Sequence, residues 1–286
     1  VVLGRHVDRL KFLDVIFGNQ PALTPAELVY QRMLARDPIE AVEQAQLFLK
    51  EKPLVAYYEE ILVEGLKLAQ VDAERGLLDE ERIRHIRDAV AEIVDDLSAH
   101  EDKSEPAPEI DANVDKQDPL ALIAKTEESL HQTVKELPEQ WRTEKPVLCI
   151  PGLGLLDEAV ALMVAQLVEK HGIGARAETA DALSMSRIFG LDTKDIALVC
   201  VCYVENATAA QIRYAIRRLR RKAPNAIIMV ALVGIAENIG NSEGPQASLP
   251  FDFVERSLSA TVARILAVAH GSHGPKEAPR TLPMAG

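Results

Sequence analysis

Apolar residues recur every three or four positions through most of the first hundred residues. From residue 145 the pattern changes to short continuous apolar runs separated by amphipathic stretches. The first pattern predicts helices, and its punctuation is explicit. "TPAE" sets Thr24 as an N-cap with Pro25 at the first helical position and Glu27 as the capping-box partner; "DPIE" repeats the device with Asp37, Pro38 and Glu40. A third helix is expected from Pro53 to Gly76, with Leu54, Tyr58, Ile61, Gly65 and Leu68 on one face. A fourth follows Asp79, with Ile83, Ile86, Val90, Ile93 and Leu97 as its stripe. Four such helices with short loops predict an antiparallel four-helix bundle over 24–98.

The second pattern predicts a parallel sheet. Strand-like runs stand at "PVLCI", "GARAE", "IALVCVCYV" and "AIIMVALVG", with helical patterns at about 156–171, 182–190 and 208–222 and a closing helix at about 252–270. Continuous apolar strands alternating with helices imply a sheet covered on both faces, a Rossmann-like or flavodoxin-like α/β domain over 145–270. Between the two regions, residues 99–118 hold seven acidic residues against two basic ones and little to bury, which predicts a flexible linker. One further helix is expected within 99–144, from Pro119 to about Leu137 with its cap at Asp118. The Gly- and Pro-rich residues 271–286 are expected to be a disordered tail.

Composition narrows the function. With 286 residues and 48% apolar content the chain can form two cores, and a formal charge of −12 argues against general nucleic-acid binding. No stretch reaches the apolar length of a membrane-spanning helix, so this chain is expected to be soluble. Residues 1–23 open with Val1, Val2 and Leu3 followed by Arg5, His6, Arg9 and Lys11. That reads either as a juxtamembrane segment on the cytoplasmic side of a membrane or as an amphipathic N-terminal helix. Cys149, Cys200 and Cys202 lie in or at the ends of apolar runs without zinc-site spacing and are expected to be core residues.

A catalytic constellation is not legible. His6, His85, His100, His131, His171, His270 and His273 are scattered outside any H-x-x-H or H-E-x-x-H pattern, and G-x-S-x-G is missing. Ser184 and Ser186 are expected to cap or decorate a short helix, and Cys202 with Tyr203 to pack in the core or face a pocket. The expectation is a protein that is not an enzyme and holds no metal.

The best candidate for a ligand is the turn after the first strand, "PGLGLLDEA". Ligands of open parallel sheets bind beyond the carboxyl ends of the strands. A dinucleotide fingerprint needs a third glycine, but Asp157 stands there and Glu158 follows, and two carboxylates in the first turn of a helix repel a phosphate. Glu178 ends the second strand where a ribose-binding carboxylate would stand. Pro151, Gly152, Gly154, Tyr203, Glu205, Asn206 and Gly234 are the expected ligand-binding residues, with the bundle as lid. "AAQIRYAIRRLRRKAP" carries Arg213, Arg217, Arg218, Arg220 and Arg221 on a helix whose stripe is Ile212, Ile216 and Leu219. It reads as a solvated sheet-covering helix or as a docking surface, for anionic lipid headgroups or for the chain's own acidic linker and bundle.

Two resemblances add to this. A helical bundle before a Rossmann-like domain, with "LARDPIEAVEQAQLFLKE" among its early helices, resembles the cobalamin-binding modules of corrinoid proteins over about 24–240. That family's D-x-H-x-x-G falls on Leu153, Leu155 and Glu158, so the histidine that would ligate cobalt is not kept and no such cofactor is expected through that ligand. "VVLGRHVDRLKFLDVIFGNQPALTPAELVYQRMLARDPIEAVEQA" is similar to the region just after the last membrane helix of AI-2E family transporters, over about 1–100 and again over 146–235. This resemblance implies a cytosolic regulatory or ligand-sensing appendage of a predicted permease. Its implied partners are the membrane domain, a small-molecule ligand, an anionic lipid surface or a second copy of the chain. A cofactor sensor and a ligand-free interaction module remain the alternatives.

Overall fold

The computed structural model describes residues 23–36, 38–102, 137–234 and 251–271. The chain is a mixed α/β protein built around a five-stranded parallel sheet. Most of the expected juxtamembrane segment, the Asp37 cap, the Pro119 helix and all but the first residue of the expected tail lie outside the described residues.

The first helix, α1 (Pro25–Ala35), begins as its capping box demands: Glu27 N–H donates to Thr24 Oγ1 at 3.2 Å, and Thr24 N–H donates to the Glu27 carboxylate at 2.7 Å. It ends at Arg36 in the left-handed region, φ 58°. Next come α2 (Pro38–Phe48) and α3 (Leu54–Tyr57), and then a π-helical turn, Tyr58–Val63, that runs straight into α4 (Glu64–Glu74). The single helix expected from Pro53 therefore forms with a wider turn inside it. Across this stretch Leu54 to Tyr58 and Ile61 to Val63 are all buried, leaving only Glu59 and Glu60 to reach outward. A helix apolar nearly all round belongs between two layers, and this one lies there. The fourth helical run, α5 (Glu80–Asp96), is capped by Asp79, which accepts from Arg82 N–H at 2.8 Å, and it buries Ile86, Val90 and Ile93 as its stripe predicts. α1 packs on α4 and α5, and α2 on α1 and α5.

The sheet contains β1 (Val147–Pro151), β2 (Ala175–Ala177), β3 (Leu198–Tyr203), β4 (Ile227–Leu232) and β5 (Phe253–Glu255) in the order β2-β1-β3-β4-β5. Every pairing is parallel; Val147 registers with Ala175 on one side and Leu198 on the other. Because side chains alternate along a strand, the continuous apolar runs feed two cores. Cys149, Cys200, Cys202, Met229 and Ala231 face α6 (Leu155–Lys170), α8 (Leu258–Ala269) and the helical layer. Leu148, Ile150, Val199, Val201, Tyr203 and Val230 face α7 (Ala209–Lys222) and the turns of 182–191. All three cysteines are buried and unoxidised in the first core. Hydrogen bonds with Cys149 and Cys200, together with burial, push the Cys202 thiol well above its ordinary range.

Two expectations are corrected. The closing helix starts at Leu258, because Phe253–Glu255 first adds an edge strand to β4 and Ser257 then caps the helix by accepting from Ala260 N–H at 3.1 Å. Residues 182–190 form successive turns instead of a helix. There Ser184 Oγ accepts from Arg187 N–H at 3.3 Å and Asp181 from the Thr179 hydroxyl at 2.6 Å, local side-chain bonds that compete with a helical ladder.

The helical layer and the sheet share one hydrophobic core. Polar ties cross it as well. Tyr58 donates its hydroxyl to Gln166 Oε1 on α6, Gln166 in turn donates to the Val94 carbonyl on α5, and Ser259 N–H on α8 donates to Glu59 at 3.0 Å.

Candidate functional site

β1 ends at Pro151, and the chain turns through Gly152 to Gly154 into α6 beside the end of β3 at Tyr203. Gly152 is required here by proximity: a Cβ on it would stand 1.9 Å from Tyr203 Cε1 and 2.3 Å from Cζ. The Tyr203 ring therefore lies against the backbone of the turn, fully buried, with a hydroxyl that has no hydrogen-bond partner among the described residues. Burial, with the Asp157 charge nearby, pushes that phenol above its ordinary range.

Gly154 is crowded by a different group. A Cβ there would meet Glu205 Oε1 at 2.4 Å, and the same oxygen accepts from Leu156 N–H at 3.3 Å. Glu205 thus places a carboxylate at the N-terminus of α6, where the unpaired amides and the helix dipole favour an anion. Its carboxyl is held above the usual carboxylate range by burial, against the opposing bond from Leu156.

Asp157 lies underneath, fully buried, and binds the loops together. Its Oδ2 accepts from Leu153 N–H at 2.8 Å, while Oδ1 accepts from Val204 N–H at 2.7 Å and Glu205 N–H at 2.9 Å. Burial and the neighbouring Glu205 charge push it up to about 7, with the three amides acting in the opposite direction. Glu158, also buried, accepts from Ala180 N–H at 2.7 Å and pairs with Arg87 of α5 at 3.5 Å.

The helical layer reaches the same edge at two further points. Asn206 donates to Glu74 at the end of α4 at 2.5 Å, a bond that lowers the Glu74 carboxyl. Gly234, at φ 73°, follows β4 and faces Lys67, whose Cδ lies 2.8 Å from where a Cβ would be. The seven expected ligand residues, Pro151, Gly152, Gly154, Tyr203, Glu205, Asn206 and Gly234, therefore gather along the carboxyl ends of β1, β3 and β4. What meets them is the chain itself: a tyrosine ring, a carboxylate, and side chains from α4.

Glu178, the candidate ribose residue, pairs with Arg176 at 3.3 Å. Leu155, standing where the corrinoid histidine would be, has no side-chain atom able to bind cobalt. Among the described residues, no group of three or more His, Cys, Asp or Glu is placed to hold a metal, and no helix is long and apolar enough to cross a membrane.

The sequence marks Asp157 and Glu158 only as carboxylates in a first helical turn; their partners, and the ties made by Gln166 and Glu74, come from the fold. One signal was present for three of them. "LLDEAVALMVAQLV" is apolar on every face, so its helix is buried all round, and polar residues inside it must find internal partners.

The arginine helix lies on the sheet face opposite the helical layer. Arg218 donates to the carbonyls of Leu183 at 2.5 Å and Ser184 at 3.2 Å, and Arg220 to Ala226 at 2.8 Å and to Asp252 at 2.8 Å. Arg221 Nε donates to the Arg217 carbonyl one turn earlier at 3.2 Å. Arg213 is half-buried, whereas Arg217 and Arg221 are exposed. The helix and the helical layer thus pack on opposite faces of the sheet, and the acidic linker falls largely outside the described residues. No family model and no curated protein matches this chain.

Proposed function

We propose that this chain is a non-catalytic regulatory or ligand-sensing module, held with its ligand edge closed by its own side chains. The observation that carries the reading is Glu205 at the N-terminus of α6, a built-in anion on the amides that an external ligand would otherwise take. The strand order β2-β1-β3-β4-β5 supports a flavodoxin-like domain, in which this edge is the binding edge. The helical layer, which we read as a four-helix bundle serving as lid, contacts the edge through Arg87, Glu74 and Lys67. A non-catalytic role fits because Asp157, the most deeply buried carboxylate there, is engaged by three backbone amides.

The similarity to AI-2E family transporters gives the setting: a cytosolic appendage that reports a small molecule to a membrane domain. The continuous core between the layers favours a second reading, an interaction module without a ligand.

Native mass spectrometry of the purified chain, with an absorbance spectrum before and after adding cobalamin and nucleotides, tests the choice. A retained or captured small molecule supports the sensor. A bare chain that also stays bare as Glu205→Ala removes the sensor reading and leaves the interaction module.

A further inference from the structure

The face of the molecule that the edge does not use carries its own chemistry. On the turns before β3, Phe189 is 78% exposed and Met185 69%, and on α7 Tyr214 is 56% exposed. They belong to one surface: the Tyr214 hydroxyl approaches Met185 Sδ at 3.8 Å, and Arg218 lies over the Tyr214 ring at 5.3 Å from its centre. Lys222 and Arg218 both donate to carbonyls of these turns, Phe189 and Leu183 among them, which fixes the turns against the helix.

The charge around these side chains has one sign along the helix. α7 contains six cations and no carboxylate, in a chain whose net charge is −12. The bonds to backbone carbonyls position Arg218 and Lys222 without neutralising them. Arg217 and Arg221 are exposed one turn apart, three and seven residues after Tyr214 and so on its side of the helix, and Arg187 in the turns is paired with Asp181.

We propose that this surface, Met185, Phe189, Tyr214, Arg217, Arg218 and Arg221, docks on an anionic lipid bilayer. Guanidinium forks match headgroup phosphates, and long arginine stems keep the charge at phosphate depth while the apolar side chains enter the interface. Aromatic side chains favour that depth. The acidic remainder of the chain is repelled by the same surface, so α7 is the side turned towards it. This proposal does not depend on the closed edge, which lies on other residues.

The test is sedimentation of the full chain with vesicles of phosphatidylcholine alone and of phosphatidylcholine mixed with phosphatidylglycerol. The chain is expected to pellet with the mixed vesicles only and to be released by salt. Each cation near such a surface is worth about fivefold in partitioning, so Arg217→Ala with Arg221→Ala should lower it about 25-fold. Phe189→Ser should lower it with no change of charge, and circular dichroism melts should show both variants folded. Recovery in the supernatant with both vesicles, or equal pelleting with both, would overturn the proposal. So would a chain that ignores vesicles but binds polyglutamate through Arg217 and Arg221, which would give the surface to an acidic protein.

Discussion

Glu205 accepts a hydrogen bond from Leu156 N–H across a gap of forty-nine residues in sequence, and so the loop after β3 supplies the anion at the start of α6. A phosphate or carboxylate ligand would compete for the same amides. The glycines that make the turn resemble a ligand cradle are explained by this internal filling, Gly152 by Tyr203 and Gly154 by Glu205.

The two glycines should respond differently to alanine. In Gly152→Ala the new methyl meets a packed ring, and a loss of about 1–3 kcal/mol is expected from overpacking. In Gly154→Ala it meets the end of a flexible side chain, so Glu205 swings away and the loss is about 1 kcal/mol, that of a helix cap. Urea unfolding of the two variants measures this; equal losses would contradict the assignment of Glu205 as the movable group.

Asp157 makes stability depend on pH. Its folded value, about 7, exceeds the ordinary 3.8, so the folded chain retains a proton there that the unfolded chain releases. That contribution is fully present below the ordinary value and is lost as pH rises through the folded one. Glu205 is shifted in the same direction. Asp157→Asn cannot titrate and gives up one acceptor for Leu153, so it should be less stable overall, with a smaller fall in stability between about pH 5 and about pH 8. Unfolding midpoints at the two pH values decide; identical slopes for parent and variant would exclude Asp157 as the source.

Gln166 joins three elements, accepting from Tyr58 and donating to Val94. Gln166→Leu leaves a buried hydroxyl and a buried carbonyl without partners, at a cost of about 2–4 kcal/mol. Tyr58→Phe removes only one donor and should cost less. Guanidinium unfolding followed separately by the signals of Trp141 and of helix content checks it. The central position of Gln166 is contradicted if Gln166→Leu matches the parent.

Much of this architecture is legible in the residues. Thr24 and Glu27 announce the first helix, and the runs around Val147, Leu198 and Ile227 announce a parallel sheet, because both signals are local. β5 is not legible: "FDFVERSL" has only three paired residues, and its strand character comes from lying beside β4. The turns at 182–190 read as a helix because Ala182, Ile188 and Leu191 are apolar, though Ala182 and Leu191 reach the core beneath the sheet from separate turns. The π turn after Tyr57 leaves no trace in spacing. At the edge, the glycines mark the place, but the partners of Asp157 and Glu205 come from another strand's loop, which a linear pattern does not bring together.

The chain's own groups close the carboxyl edge of the sheet, and hydrogen exchange followed residue by residue reads that closure amide by amide. The amides of Leu153, Leu156, Val204 and Glu205 should exchange as slowly as those within β1 and β3, since each is bonded to a buried or half-buried carboxylate. In Glu205→Ala, Leu156 should accelerate while Val204, held by Asp157, stays slow. Exchange of all four at the rate of open loops in the parent chain would mean that the edge stands open.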